Sequence, residues 1–297
     1  MTTLNDIIND VNTELHGMTA NLEQVTFLTA DIDTNDLVLN VDDASQLSRG
    51  LLEIGDELMW VVHVNQQANT VTIAPFGRGY RSTTAAAHTV NTMITDNPRF
   101  PRQTIVQRVQ QALSEIYPEI FVVRSDETNT VNPVQLNYPV PADCDIVLSI
   151  SWATVGPSLV WEPVRRYNLN TNADPTVFAT GRSVSIGDVM FPGRAIRVTY
   201  VSRPGQLVNN TDTLDDIGLD DNFRDILMYG ACYRLVASLE TSRLQMTRIE
   251  QTDRAQYVNS GAATAGSKYY LGLFQERVQN ERARLLQVNQ SFAHLSR

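Results

Sequence analysis

The feature that most constrains this chain is that its apolar spacing changes period four times, from about 3.6 residues to 2 and back. In "TTLNDIINDVNTELHG" the residues Leu4, Ile7, Ile8, Val11 and Leu15 keep helical spacing, Thr3 and Asp6 form a capping pair, and Gly17 can end the helix. From about Leu22 to Ile94 the period falls to two. In "DELMWVVHVNQQANTVTI" Leu58, Trp60, Val62 and Val64 take one face and Glu57, Met59, Val61 and His63 the other, which predicts a small antiparallel, barrel-like module. "PRFPRQTIVQRVQQALSEIYP" returns to helix: Pro101 suits a first turn, Ile105, Val106, Val109, Leu113 and Ile116 form a stripe, and Pro118 stops it. "CDIVLSISW", "SLVWEPV", "SVSIGDVMF" and "AIRVTYVSRP" then read as short strands, predicting a second small sheet or sandwich from about Phe121 to Pro204. The last third is helical again, with small Gly230 and Ala231 where a neighbouring helix can approach closely.

Four amphipathic helices, predicted over residues 4–16, 102–117, 221–258 and 267–295, each carry too little apolar surface to stand alone. The economical solution is an α+β fold: one helical bundle with two inserted small antiparallel β modules and a long C-terminal helix. The bundle takes residues 1–20, 99–118 and 215–297, the barrel-like module 21–98 and the sandwich-like module 119–214.

The stretch "VTIAPFGRGYRSTTAAAH", residues 71–88, invites comparison with a phosphate-binding loop. Gly77 and Gly79 supply only half of the glycine pattern, Ser82 stands where the third glycine belongs, and no lysine followed by a hydroxyl residue comes after. The stretch therefore reads as a hairpin turn between "NTVTI" and "HTVNTMI", with Arg78, Tyr80 and Arg81 at its exposed tip.

Function classes narrow by chemistry. With 33 acidic residues against 23 basic ones the chain carries −10, a field that repels nucleic acid. Cys144 and Cys232 lack metal or redox spacing and read as small buried apolar groups of a chain in a reducing compartment. The start of the chain lacks the pattern of a secretory signal, and no apolar run approaches a membrane span, which predicts a soluble intracellular product. The four histidines, His16, His63, His88 and His294, sit in four separate segments, so neither a metal site nor a cofactor is expected. Asp56 and Glu57 are sequence neighbours on a strand and point to opposite faces, so they cannot share a proton. Asp215 and Asp216, with Asp212, Asp220 and Asp221, read as an acidic helix start, and Asp126 with Glu127 as a polar turn. No nucleophile has a base beside it, so no catalytic residue and no enzyme is expected.

What remains is surface for association. Residues 268–297 hold Lys268, Arg277, Arg282, Arg284 and Arg297 against Glu276 and Glu281, leaving +3 in a chain that is otherwise about −13. A basic terminal helix on so acidic a body suits head-to-tail assembly into a ring.

The succession "SRGLLEIGDELMWV", "TIAPFGRGYRSTTAAAH", "PRFPRQTIVQRVQQALSEIYP" and "LDDIGLDDNFRDILMYGACYRLVASLE", closed by a long charged helix, resembles the head-to-tail adaptor (connector) proteins of tailed bacteriophages. The resemblance covers most of the chain. It implies a structural protein of the virion neck, assembled in the host cytoplasm. There a ring, typically of twelve copies, docks beneath the portal protein, meets the next neck or tail protein, and extends a channel through which DNA passes only as cargo. The portal-docking residues expected on this basis are Arg277, Arg282, Arg284, Leu285, Leu286, Phe292, Leu295 and Arg297; the inter-subunit or tail contact is Gly77, Arg78, Gly79, Tyr80 and Arg81. Short adaptors of this kind are mostly helical, so the two β modules depart from the simplest pattern. A tail or baseplate component is the alternative reading, which a ring bound to portal distinguishes.

Overall fold

The structure, a computed structural model, describes residues 1–19, 23–154, 160–249 and 262–289. In chain order the elements are α1 (Leu4–Thr19), β1 (Gln24–Phe27), β2 (Val38–Asn40), β3 (Gly50–Ile54), β4 (Glu57–Asn65), β5 (Thr70–Ile73), β6 (Met93–Asp96), α2 (Arg102–Glu115), β7 (Val122–Thr130), β8 (Asn137–Pro139), β9 (Ile146–Ala153), β10 (Trp161–Val164), β11 (Tyr167–Asn170), β12 (Ser183–Ile186), β13 (Ala195–Ser202), α3 (Arg224–Ile249) and α4 (Ala262–Val288).

The expected fold class is overturned. With thirteen strands and four α-helices among the described residues, the protein is mostly sheet rather than a helical bundle with small β modules. The sequence understated the β content for a physical reason. Strand β7, "VVRSDETNT", has almost no apolar alternation; it is held by its backbone ladder with β13 and by pairs such as Arg197 to Glu127 at 2.7 Å. Asp126 and Glu127 therefore lie on a strand, not in a turn. Strands β8 and β11 are three and four residues long and polar, too short to show a period.

Strands β1 to β6 form one antiparallel sheet of order β1-β6-β3-β4-β5-β2. The sheet curls into a half-barrel whose edge strands meet at one end: Thr29 N–H donates to Asn40 O at 3.0 Å and Asp42 N–H to Phe27 O at 3.0 Å. Joining the edges in this way removes unpaired backbone from solvent. Leu39, Leu52, Ile54, Met59, Val61, Val71, Ile73 and Ile94 fill its interior. The alternation on β4 follows the expected faces at Met59 and Val61, which are buried, and Trp60 and Val62, which are exposed, but Leu58 is buried beneath the loop that follows β5.

Strands β7 to β13 form two facing sheets, a four-stranded one of order β10-β9-β13-β7 and a three-stranded one of order β11-β12-β8. Tyr138, Val140, Ile150, Trp152, Val184, Ile196 and Val198 pack between them. Cys144 is buried here and Cys232 in the helical layer; burial pushes their thiols up to about 11 and about 12, so neither supplies a thiolate near neutral pH.

The four helices share a separate core in which Leu4, Ile7, Ile8 and Val11 of α1 meet Ile105, Val109 and Leu113 of α2 and Ile226, Leu227, Leu235 and Val236 of α3. Helix α1 starts as expected: Asp6 accepts from Thr3 N–H at 2.9 Å while Thr3 Oγ1 accepts from Asp6 N–H at 3.2 Å. Helix α3 begins at Arg224 and is described to Ile249, and α4 begins at Ala262, five residues before the expected start. The expected stretches 250–258 and 290–295 lie outside the described residues. Among the described residues no helix is long and apolar enough to cross a membrane.

Gly230 lies where α2, α3 and α4 meet. A Cβ there would stand 2.6 Å from the Cβ of Ala112 on α2 and 3.0 Å from the ring of Phe274 on α4. Gly230→Ala should therefore destabilise the protein by about 1–3 kcal/mol through overpacking, despite the better helix propensity of alanine. Thermal melting checks this, and an unchanged or raised Tm would refute the close approach.

Candidate functional site

Glu57 opens β4 on its inward face and is 1% exposed. A lone buried carboxylate is costly, so the chain surrounds it with donors. Oε1 accepts from Arg78 Nε at 2.7 Å and from Gly79 N–H at 3.0 Å. Oε2 accepts from Arg78 Nη2 at 3.0 Å and Ala86 N–H at 3.1 Å, and lies 2.9 Å from His88 Nε2. Arg78 spends its remaining donors on three carbonyls: Nη1 on Asp33 at 2.7 Å and Asp36 at 2.9 Å, and Nη2 on Ala86 at 2.7 Å. Burial alone would push the Glu57 carboxyl up, but the bonds from Arg78, Ala86, His88 and Gly79 outweigh it and hold the group below its ordinary value. Both carboxylate oxygens are occupied by donors. The group works as a tie that fastens the loop after β5, and the loop after β1, to β4.

This corrects the reading of residues 71–88. Strands β5 and β6 are not neighbours in the sheet, so the stretch is a long crossing loop, not a hairpin. Arg78 is not at an exposed tip; its side chain is 6% exposed, because a guanidinium is the group that can satisfy a buried carboxylate and three carbonyls at once. Gly79 takes the left-handed conformation, φ 61°, and a Cβ on it would lie 2.8 Å from Thr83 O. Gly77 is equally confined, 2.8 Å from Trp60 O by the same measure. Beyond the tie the loop turns outward: Tyr80 packs on Trp60 with ring centroids 5.3 Å apart, Arg81 lies 5.8 Å from the Tyr80 ring, and Phe76 is fully exposed. Sequence reasoning missed Glu57 as the partner. The available signal was an acidic residue on the buried face of a strand in a segment with only three arginines.

Beside the tie lies an open polar cleft of about 580 Å³, lined by Asp56, Glu57, His88, Gln103, Asn209 and Asn210. Asp56 lies in the turn between β3 and β4 rather than on a strand, and binds Arg102 Nε at 2.9 Å and the Asn210 amide. Among the described residues no three metal-ligating side chains converge.

The arginines of α4 are engaged within the chain. Arg277 lies 3.6 Å from Asp225, Arg282 pairs with Glu119 at 2.7 Å, and Arg284 bridges Asp220 at 2.9 Å and Glu281 at 2.6 Å. The acidic cluster before α3 is thus in part the dock for α4, in addition to its local turns, where Asp212 and Asp216 accept from the backbone of Val208, Asn209 and Thr213. Leu285 packs on the cores of the helices and of the four-stranded sheet, Leu286 is half-buried and Val288 is exposed. Phe292, Leu295 and Arg297 lie outside the described residues.

Comparison with known families gives one match: the model of the family described as SU10 adaptor protein covers residues 82–285, more than half of the chain. The match begins inside the loop fastened by Glu57 and ends at Leu285, the last α4 residue packed on the cores. A search of curated proteins returned no match.

Two outcomes test the electrostatics. Glu57→Gln should cost about 3–5 kcal/mol, because it leaves Arg78 buried without its counter-charge. Since the folded pKa is depressed, the stabilisation is complete above the ordinary value of 4.5 and is lost as pH falls through the lower folded value; the variant's Tm should lack that acid limb. Glu53, which accepts from Arg102 N–H at 2.7 Å at the start of α2, has the opposite sign, since burial pushes its carboxyl up to about 7. Its charged form disfavours folding as pH rises from 4.5 past 7, so Glu53→Gln should raise Tm at pH 8 and leave it nearly unchanged at pH 4.

Proposed function

Because the chain belongs to the SU10 adaptor protein family, we propose that it forms a closed ring in the phage neck, docks beneath the portal through the end of α4, and extends the DNA channel towards the tail. Membership makes it a phage adaptor, a structural component of the virion that contacts other capsid or tail proteins. The ring, the portal and the channel are the proposed refinement.

The observation that carries the reading is the coincidence of two limits. The family match and the internal packing of α4 both stop at Leu285. Up to that point the helix serves the fold, through Arg277, Arg282 and Arg284 and their carboxylate partners. Past it, Leu286 and Val288 lead into a segment that still holds Phe292, Leu295 and Arg297, apolar groups and a cation suited to a pocket on another subunit. A net charge of −10 per copy favours a channel wall on which DNA phosphates find little to hold them.

Truncation from Gln287 onward should leave a folded protein, with Tm near that of the full chain, that no longer attaches to DNA-filled heads. If truncated protein still joins heads and yields infectious particles, docking resides elsewhere. A chain that stays monomeric in the presence of purified portal, by mass photometry, would refute the ring itself.

A further inference from the structure

Two exposed patches of opposite character lie on the two β layers. The first is the tip of the sandwich, where the loops between β7 and β8 and between β12 and β13 lie side by side: Ile186 N–H donates to Leu136 O at 2.9 Å, and Gly193 N–H to Val131 O at 2.8 Å. This tip presents Val189, 98% exposed, Val134, 89% exposed, and the exposed Leu136 and Phe191. Hydrogen bonds brace its base: the Tyr138 hydroxyl is bonded to both N and O of Asn132, and Asp188 accepts from the backbone of Arg165 and Arg166. Asp188 is the acidic residue of these loops and pairs with Arg166 Nε at 3.1 Å, while Arg165 beside it and Arg194, whose carbonyl accepts from Val131 N–H, leave the apolar tip with a net basic rim.

The second patch is the outer face of β1 and β6. Val25 and Phe27 share one face of β1, and Met93 stands opposite Phe27; all three are about half exposed. Asp42 lies beside this face, its N–H donating to Phe27 O, and Asp31 accepts from Val90 N–H nearby, while Asp43 N–H reaches Thr26 Oγ1 on the inward side of β1. The surrounding segment is acidic compared with the sandwich: residues 23–98 hold ten carboxylates against three arginines, whereas residues 121–204 hold seven of each.

Two nearly bare and two largely exposed apolar side chains on one tip are more than scattered exposure, and they lie in one chain with a face of matching apolar character and opposite rim charge. Both patches are open in the single chain, so they do not cover each other. We infer that the basic-rimmed sandwich tip of one copy seats on the acidic-rimmed β1–β6 face of the next copy. The occupant is a second copy of this chain because a contact between two different patches on identical subunits is heterologous and propagates around a ring. This inference rests on the ring reading and supplies the subunit contact that the reading lacks.

The test uses the full chain with purified portal, read by mass photometry. A tip variant, Val134→Asp with Val189→Asp, and a face variant, Phe27→Asp with Met93→Asp, should each lower ring yield by roughly tenfold or more. Circular dichroism melting verifies that both fold; the tip variant, altered only at exposed loop positions, keeps the test decisive if the strand variant is unstable. Mixed one to one, the two variants retain one intact tip and one intact face between them, so they should form a dimer that cannot grow. Rings of normal yield from the tip variant would overturn the proposal while leaving the ring reading intact. So would a tip variant that forms rings but fails to join tails, which would assign the tip to a tail protein. An unmodified chain that never assembles would sink the ring reading and this contact with it.

Discussion

A buried carboxylate with five donors around it holds much of this molecule in place. Glu57 fixes Arg78, and Arg78 reaches back to Asp33 and Asp36 and forward to Ala86, so two separate loops and the start of β4 converge on one charge. The loop that crosses from β5 to β6 is nearly twenty residues long, and its backbone bonds to Trp60, Leu28 and Ile32 hold only its two ends, leaving the middle to the tie. Pinned by the tie, it places β6 between β1 and β3, and β6 in turn leads into α2 through Phe100 and Pro101. The helical layer thus takes its direction from a charge pair in the sheet. The opposed behaviour of Glu53 and Glu57 follows from the count of donors: one backbone N–H does not offset burial, whereas a guanidinium with two backbone amides and an imidazole does.

The parts of the fold that announce themselves in sequence are those where apolar spacing does the holding. Leu4, Ile7, Ile8, Val11 and Leu15 are all buried, and Thr3 and Asp6 cap as their spacing predicts. The close approach at Gly230 was equally legible, since a glycine followed by alanine in a helix has few other uses. What hid was everything held by polar groups. Strand β7 is mostly polar yet pairs with β13 on both sides of a bulge at Glu127 and Thr128, and β8 and β11 are too short to show any period, which is how a mostly-sheet protein reads as a bundle with small insertions.

The same blindness affected the candidate surfaces. Net charge counts residues without saying where their partners are, so a helix carrying +3 reads as free to dock. Its described arginines instead reach Asp225, Glu119 and Asp220, carboxylates distant in sequence. Arg78 misled in the same way, because an arginine between two glycines looks like a loop tip until its buried partner is known. Conversely, the exposed apolar tip around Val189 and Val134 lies in loops with no period and no motif, and only the juxtaposition of two loops that cross between the sheets brings it together.

The registers at the mouths of the two β layers have an evolutionary consequence. Gln24 pairs with Asp96 across β1 and β6, and Val122 pairs with Ser202 across β7 and β13, so each layer leaves the helices and returns to them at adjacent points. Paired antiparallel residues are about 5 Å apart, a gap that a short turn can span. Either layer can therefore be exchanged like a cartridge, by recombination between genes, without moving the helices on which it sits. A lineage built this way can change what its outer surfaces touch while the helical seat stays the same.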